Sequence, residues 1–243
     1  MGLLYADTYQ INDDISVYIP TVGEILDCQD EYYRLLSVFI STPFDLMVQL
    51  DDIGIDFTEI KKYELFVILF KNVLEDYQAG EAKVLDLILT GYDLNNLFPA
   101  LDMTTNSFVF VDNKNRVIIN ERIYLQIRST LCAIHDIDKK DKRPGNEETH
   151  KYLLERARIK QERAMRRRQV NTELEDYIVA LVNTNDFKYD FESVRGLSLY
   201  KFTRSLQQIL KRVNYDQVML GYYTGNLDIK KINQENLNWL SSK

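Results

Sequence analysis

From Asn146 to Arg195 the chain contains neither proline nor glycine. A stretch of this length without a helix-breaking residue favours long helices joined by short connections. The whole chain has only four prolines and nine glycines among 243 residues, which leaves little room for long loops. Its hydrophobic fraction of 45% is that of a folded globular protein. The sequence therefore predicts a mainly α fold.

The charge of the chain is unevenly distributed. Residues 138–170 carry twelve Lys and Arg against six Asp and Glu, a net charge of +6. The remainder carries 18 basic and 31 acidic residues, a net charge of −13. Within the basic segment, residues 138–146 (DKKDKRPGN) have no hydrophobic residue and contain Pro144-Gly145, which is typical of a boundary. We predict a helical domain at 1–137, a basic linker with a bridging helix at 138–170, and a helical domain at 171–243.

The N-terminal part shows several helix-start patterns and one hairpin pattern. Thr21 with Glu24, and Asp56 with Glu59, match capping boxes, so each pair predicts a helix start. The second of these helices is apolar on every side at residues 65–70 (LFVILF), which predicts the central helix of the core. The β-rich runs around the polar residues 112–115 predict a small β-hairpin near 107–120.

The C-terminal part has a regular apolar pattern. Steps of three and four residues indicate one buried helical stripe. The stripe comprises Leu199, Phe202, Leu206, Ile209 and Val213.

An arginine-rich stretch, ERARIKQERAMRRRQ at residues 155–169, falls in a predicted helix from about 147 to 168. Asn146 suits its N-cap, and acids then lie at its positive end and arginines at its negative end. The cationic end comprises Arg163, Arg166, Arg167 and Arg168. Three interpretations stay open: a solvated helix with internal ion pairs, a docking surface for an acidic or helical protein, and a nucleic-acid contact. The first is favoured, and the absence of interleaved aromatic residues argues against the third.

Catalytic and metal-binding motifs are absent from the sequence. There is no G-x-x-x-x-G-K phosphate loop and no G-x-S-x-G elbow, and the two cysteines and two histidines lack zinc-ligand spacing. The acids Asp51, Asp52, Asp56 and Glu59 could hold Mg²⁺ or Ca²⁺, but helix ends explain them better. We expect no enzymatic activity, no cofactor and no metal.

The sequence also gives no sign of a membrane segment. The longest apolar run has six residues, far short of the ~20 that cross a bilayer. The N-terminus lacks the features of a signal peptide, so we expect the protein to stay in the compartment where it is made.

Two long stretches carry a family resemblance. Residues 21–66 (TVGEILDCQDEYYRLLSVFISTPFDLMVQLDDIGIDFTEIKKYELF) resemble the N-terminal region of proteins from tail-morphogenesis gene clusters of phages of Gram-positive hosts. Residues 191–241 (FESVRGLSLYKFTRSLQQILKRVNYDQVMLGYYTGNLDIKKINQENLNWLS) are similar to the C-terminal region of the same group. The group comprises tail assembly chaperone-like proteins, which are small, acidic, mainly helical and without catalytic activity.

The resemblance implies a non-enzymatic phage tail assembly protein that binds the tape-measure protein or the tail-tube protein. The alternatives are a structural virion component, such as a connector or baseplate subunit, and a nucleic-acid-binding accessory protein. The expected location is the bacterial host cytoplasm or the virion, and self-association stays open. Candidate partner-binding residues are Arg163, Arg166, Arg167, Arg168, Leu199, Phe202 and Leu206.

Overall fold

The computed structural model describes residues 2–138, 144–166, 174–228, 232 and 237–240. The chain forms two compact units. The first contains Met1–Pro20 and Asp27–Asn171, and the second contains Thr21–Leu26 and Thr172–Lys243. The fold is mainly α, about 55% helical, with a small amount of antiparallel sheet, which confirms the predicted fold class. The division into three segments stays a prediction.

In the part of the chain that the structure describes, the first unit contains two small sheets and five α-helices. Its strands are β1 (Thr8–Gln10), β2 (Ser16–Tyr18), β3 (Leu89–Thr90), β4 (Phe98–Asp102), β5 (Ser107–Val111) and β6 (Val117–Ile119). In chain order the helices are α1 (Val22–Leu26), α2 (Gln29–Ile40), α3 (Met47–Asp52), α4 (Lys62–Gln78), α5 (Glu121–His135), α6 (Glu147–Arg166), α7 (Leu174–Val182) and α8 (Leu199–Tyr223). Helices α2 to α6 belong to the first unit, and α1, α7 and α8 belong to the second.

An aromatic cluster fills the centre of the first unit. Phe66 of α4 stacks on Tyr124 of α5, with ring centroids 4.3 Å apart. Phe70, one turn further along α4, contacts Phe39 of α2 and Phe110 of β5 at 5.4 and 5.1 Å. All five rings are fully buried. Helix α4 is therefore the central helix of this core, as the sequence predicts, although Ile68 on its outer side is exposed.

The predicted hairpin is present and gains a third strand. β5 pairs antiparallel with β6, and β4 pairs antiparallel with the other edge of β5. Asp112 organises the turn, because its carboxylate accepts hydrogen bonds from the backbone N–H groups of Lys114 and Arg116. Asn115 adopts a left-handed conformation with φ of 59°, which asparagine tolerates better than most residues. The third strand stabilises a hairpin that would be marginal alone.

The predicted start of α4 at the Asp56–Glu59 pattern is wrong. The Asp56 carboxylate accepts hydrogen bonds from the N–H and the hydroxyl of Thr58, which makes a local turn instead of a helix cap. Helix α4 begins at Lys62, where the Glu64 carboxylate accepts a hydrogen bond from the Lys61 N–H at 2.9 Å. A second acid at the right spacing thus caps this helix.

The second unit begins at the capping box that the sequence predicts. The Glu24 carboxylate accepts a hydrogen bond from the Thr21 N–H at 2.7 Å, and the Thr21 hydroxyl accepts one from the Glu24 N–H at 3.2 Å. The short helix α1 packs closely on the segment before α8. A Cβ atom on Gly23 would lie 3.0 Å from the Arg195 carbonyl oxygen, so a larger residue here would require the Arg195 backbone to shift.

The predicted buried stripe of α8 extends over only part of the helix. Leu199 and Phe202 are 2% and 1% exposed and belong to the core of the second unit. Leu206 and Ile209 are half-buried, and Val213 is 47% exposed. The stripe therefore leaves the core after Phe202, and α8 continues as one helix to Tyr223. The regular spacing is correct, but burial at Val213 is a wrong prediction.

Half-buried His135 makes the stability of the first unit sensitive to acid. Burial lowers its pKa from 6.5 to about 4, and its Nε2 atom lies 2.9 Å from the Tyr32 hydroxyl. Between about pH 6.5 and 4 the unfolded chain binds a proton that the folded chain does not. The free energy of unfolding should therefore fall as the pH falls from about 6.5 to 4, by about 3 kcal/mol from this histidine.

Urea unfolding at several pH values should show this loss as a steeper pH dependence in the wild type than in a His135→Gln variant. The glutamine keeps a hydrogen-bonding partner for Tyr32 but does not titrate. Parallel pH profiles for the two proteins would contradict the assignment.

Candidate partner-binding surfaces

Helix α6 packs on a separate apolar cluster of the first unit. The cluster comprises Met47, Val48, Leu50, Phe57 and Leu65. Leu153, Leu154 and Ala157 of α6 pack against it. Their spacing of three and four residues puts them on one face of the helix. The arginine-rich helix is thus held against the first unit by an ordinary apolar face.

Arg158 strengthens this packing with two ion pairs. Its Nη2 atom lies 2.5 Å from the Asp51 carboxylate and 2.7 Å from the Asp52 carboxylate, both at the end of α3. The hydrogen bonds that Arg158 donates to these carboxylates raise its pKa above its ordinary value. All three side chains are partly exposed, so the pairs orient the helix more than they stabilise it.

His150 makes the corresponding contact in the first turn of α6. Its ring stacks on Phe57 with centroids 4.6 Å apart and planes 10° apart. Its Nε2 atom lies 3.3 Å from the Asp56 carboxylate. The pKa of Asp56 is lowered, first by the hydrogen bonds from Thr58 and then by the nearby His150. Together with Arg158, this stack fixes the rotation of α6 about its own axis.

These contacts occupy three of the acids considered for a metal. Asp51 and Asp52 pair with Arg158, and Asp56 binds Thr58 and His150. Within residues 2–138, 144–166 and 174–228, no group of three or more Asp, Glu, His or Cys side chains has a metal-binding arrangement. The cluster is accounted for by the packing of α6.

The opposite face of α6 is exposed, and we name it the α6 outer row. It comprises Tyr152, Arg156, Ile159, Lys160 and Arg163. Steps of 4, 7, 8 and 11 residues from Tyr152 put these side chains on one face. Tyr152 is 59% exposed and Ile159 is 42% exposed, each beside cations. The sequence-based prediction considered the arginines of this helix and missed the apolar pair Tyr152 and Ile159, which their seven-residue spacing could have revealed.

The structure places the predicted cationic end only in part. Arg163 is exposed on the α6 outer row. Arg166 is the last residue of α6, and its side chain lies outside the described residues, as do Arg167 and Arg168 entirely. The role of these four arginines stays a prediction.

A second exposed surface lies on α8, and we name it the α8 ridge. It comprises Leu210, Val213, Leu220 and Tyr223, which are 47% exposed or more. Leu199 and Phe202, two predicted contact residues, face the interior of the second unit, and Leu206 is half-buried between core and ridge. A partner of the folded unit would therefore meet the later turns of α8 first.

An open groove of about 910 Å³ in the first unit brings several charged residues together. Asp102, Glu121, Lys61 and Arg122 are among its lining residues. Hydrogen bonds from the Thr104 N–H and the Thr105 hydroxyl lower the pKa of Asp102. A carboxylate held ionised in a turn is poorly suited to general acid catalysis near neutral pH. Asp102 thus lines the groove as an ionised carboxylate.

Both exposed surfaces lie on helices, and one comparison with known families matches part of the chain. Residues 163–242, less than half of the chain, match the model of the YomV second domain family. This family is phage-derived, of the Bacillus phage SPBeta type, and the match points to a phage protein. No curated protein and no solved structure matches the chain. In the described part of the chain, no helix is both long enough and apolar enough to cross a membrane.

The packing of α6 can be tested by two substitutions. Leu154→Asp would place a carboxylate against the apolar cluster, at a cost of about 2 kcal/mol, so the amides of α6 should exchange with solvent at least about tenfold faster. Arg158→Ala should give a clearly smaller acceleration, because the ion pairs are solvent-screened.

Hydrogen exchange resolved to residues 147–163 measures both effects. The amides of α5, whose Tyr124 lies in the aromatic core and which has no residue in the apolar cluster, are the internal control and should keep their protection. Equal exchange of α6 in Leu154→Asp and wild type would contradict the packing.

Proposed function

We propose that this protein is a non-enzymatic phage tail assembly protein that binds a long helical tail protein, such as the tape-measure protein. The observation that carries the proposal is the α6 outer row. Helix α6 is fixed by its inner face, and its outer face presents two exposed apolar side chains within a row of cations. A rigid, already ordered surface of this kind loses little entropy when it binds.

The chemistry of the row suits an acidic amphipathic helix. Tyr152 and Ile159 are two turns apart, roughly 10 Å along the axis, which matches the spacing of apolar residues on a partner helix. Arg156, Lys160 and Arg163 would pair with carboxylates at the rim of such a contact. Tyrosine and arginine are also the residue types that most often dominate protein interfaces.

A protein partner is favoured over nucleic acid by the acids beside the row. Glu155 and Glu162 are exposed on α6 next to the row, where they would repel phosphates. They would instead pair with basic residues of a protein helix. The remainder of the chain carries a net charge of −13, which also opposes nucleic-acid binding.

The resemblance of residues 21–66 and 191–241 to tail assembly chaperone-like proteins supports the choice of a tail protein as partner. The match of residues 163–242 to a phage family supports the phage setting. A structural role in the virion, such as a connector or baseplate subunit, is the second candidate. We expect the chaperone to act in the host cytoplasm and to be absent from purified particles, and mass spectrometry of those particles separates the two roles.

Co-expression with a phage tape-measure protein tests the proposal. The wild type should copurify with it, and nuclease treatment should not change the yield. The double variant Tyr152→Ala, Ile159→Asp should reduce recovery by about tenfold or more, because it removes both apolar anchors. Arg156→Glu should reduce recovery more at low salt than at high salt, because salt screens the electrostatic interactions that this change reverses.

Lys71→Glu is the matched control for the charge change. Lys71 is exposed on α4 of the same unit, paired only loosely with Glu75 at 3.9 Å, so its reversal should leave recovery unchanged. Recovery that does not respond to the α6 substitutions would overturn the proposed surface. Loss of the partner on nuclease treatment would favour nucleic-acid binding instead.

A further inference from the structure

Helix α8 has a heptad pattern along its whole length. Steps of three and four residues alternate through Leu199, Phe202, Leu206, Ile209, Val213, Asp216, Leu220 and Tyr223. Such alternation is the pattern of a coiled-coil seam. The first two positions are buried in the second unit, and the last four are exposed. The seam therefore continues about three turns beyond the part that the unit itself covers.

We propose that a second copy of this chain covers the exposed seam, with the two α8 helices packed antiparallel about a two-fold axis near Asn214 and Tyr215. Under this arrangement Val213 faces Asp216 of the second copy, Ile209 faces Leu220, and Leu206 faces Tyr223. The exposed residues Leu220 and Tyr223 of one α8 helix are then covered by Ile209 and Leu206 of the other. Leu210, at the edge of the seam, widens the apolar contact.

The charges of α8 select both the occupant and the orientation. In a parallel pair the seam position Asp216 would face its own copy, which would place two carboxylates together. In the antiparallel pair Arg212 and Asp216 lie on opposite sides of the axis at nearly equal distances. Each Arg212 therefore comes beside Asp216 of the other copy. The two-fold axis repeats this contact, so the interface contains two identical Arg212–Asp216 pairs.

Contacts within the unit leave these two groups accessible. The Arg212 Nη1 atom donates to Asp186 at 2.9 Å, whereas its Nε atom is 3.9 Å from Asp216, beyond hydrogen-bonding distance. The side chains of Arg212 and Asp216 are 51% and 63% exposed. Asp216 can thus accept a second arginine while Arg212 keeps Asp186 as its anchor.

The size of the seam sets the expected strength of the pair. From Leu206 to Tyr223 the helix extends for roughly 27 Å, which gives about two and a half heptads. An interface of this length is at the small end of specific protein interfaces. We therefore expect a dimer that forms in the micromolar range and dissociates on dilution. This inference goes beyond the proposed function, because it uses a different helix and does not require the tail protein.

Charge exchange at the two positions tests the pairing in the full chain. Arg212→Glu alone and Asp216→Arg alone should each weaken the dimer by about tenfold or more, because each places like charges together. The double variant with both changes should restore it, because the pairs are re-formed with reversed polarity. Asp186→Asn is the control: it removes only the contact within the unit and should leave the dimer in place.

Sedimentation equilibrium of each protein over roughly 1 to 200 µM, the range around a micromolar dissociation constant, gives the association constants. Circular dichroism confirms that helix content is unchanged. A wild type that stays monomeric over this range would overturn the inference. So would a dimer that ignores the single changes, or single changes that the double variant does not rescue, since another surface or a parallel pair would then be responsible.

Discussion

The stacking of Phe66 on Tyr124 is the contact on which the first unit depends most. It joins α4 to α5, and the neighbouring Phe70 joins the same helix to α2 and β5. Leu65, the residue before Phe66, belongs to the second apolar cluster, on which α6 packs. Because adjacent helical residues point in different directions, α4 supports both clusters at once. The position of the surface helix α6 is therefore tied to the central core.

Helix α6 illustrates how a strongly charged helix can be ordered without a large apolar face. Leu153, Leu154 and Ala157 hold it through apolar contacts. Arg158 and His150 fix its rotation by pairing with acids at the end of α3 and in the turn that follows it. This rotation decides which cations of α6 face outward. The same contacts that engage Asp51, Asp52 and Asp56 leave Arg156, Lys160 and Arg163 facing solvent. The inner face of α6 thus holds the helix in place, and the outer face carries the proposed binding surface.

Local patterns predicted much of the fold, and long-range contacts explain what they missed. The hairpin around Asp112, the capping box at Thr21 and the central helix of LFVILF follow from nearest-neighbour chemistry, and all three are correct. The strand β4 was missed because its pairing with β5 is not visible as alternation in FPALD. The start of α4 was wrong because two acids, Asp56 and Glu64, compete as caps. Burial along α8 was overestimated, because periodicity shows which residues share a face and not what covers that face.

The central claim is that this protein works through exposed helical faces that bind other helices. Photo-crosslinking in phage-producing cells tests it most directly, with the photoreactive residue placed at Arg156 on α6 or at Val213 on α8. The account predicts that position 156 crosslinks to a helical tail protein and that position 213 crosslinks to a second copy of this chain, through a peptide containing Asp216. Crosslinks to nucleic acid at 156, or no protein crosslink at either position, would contradict it.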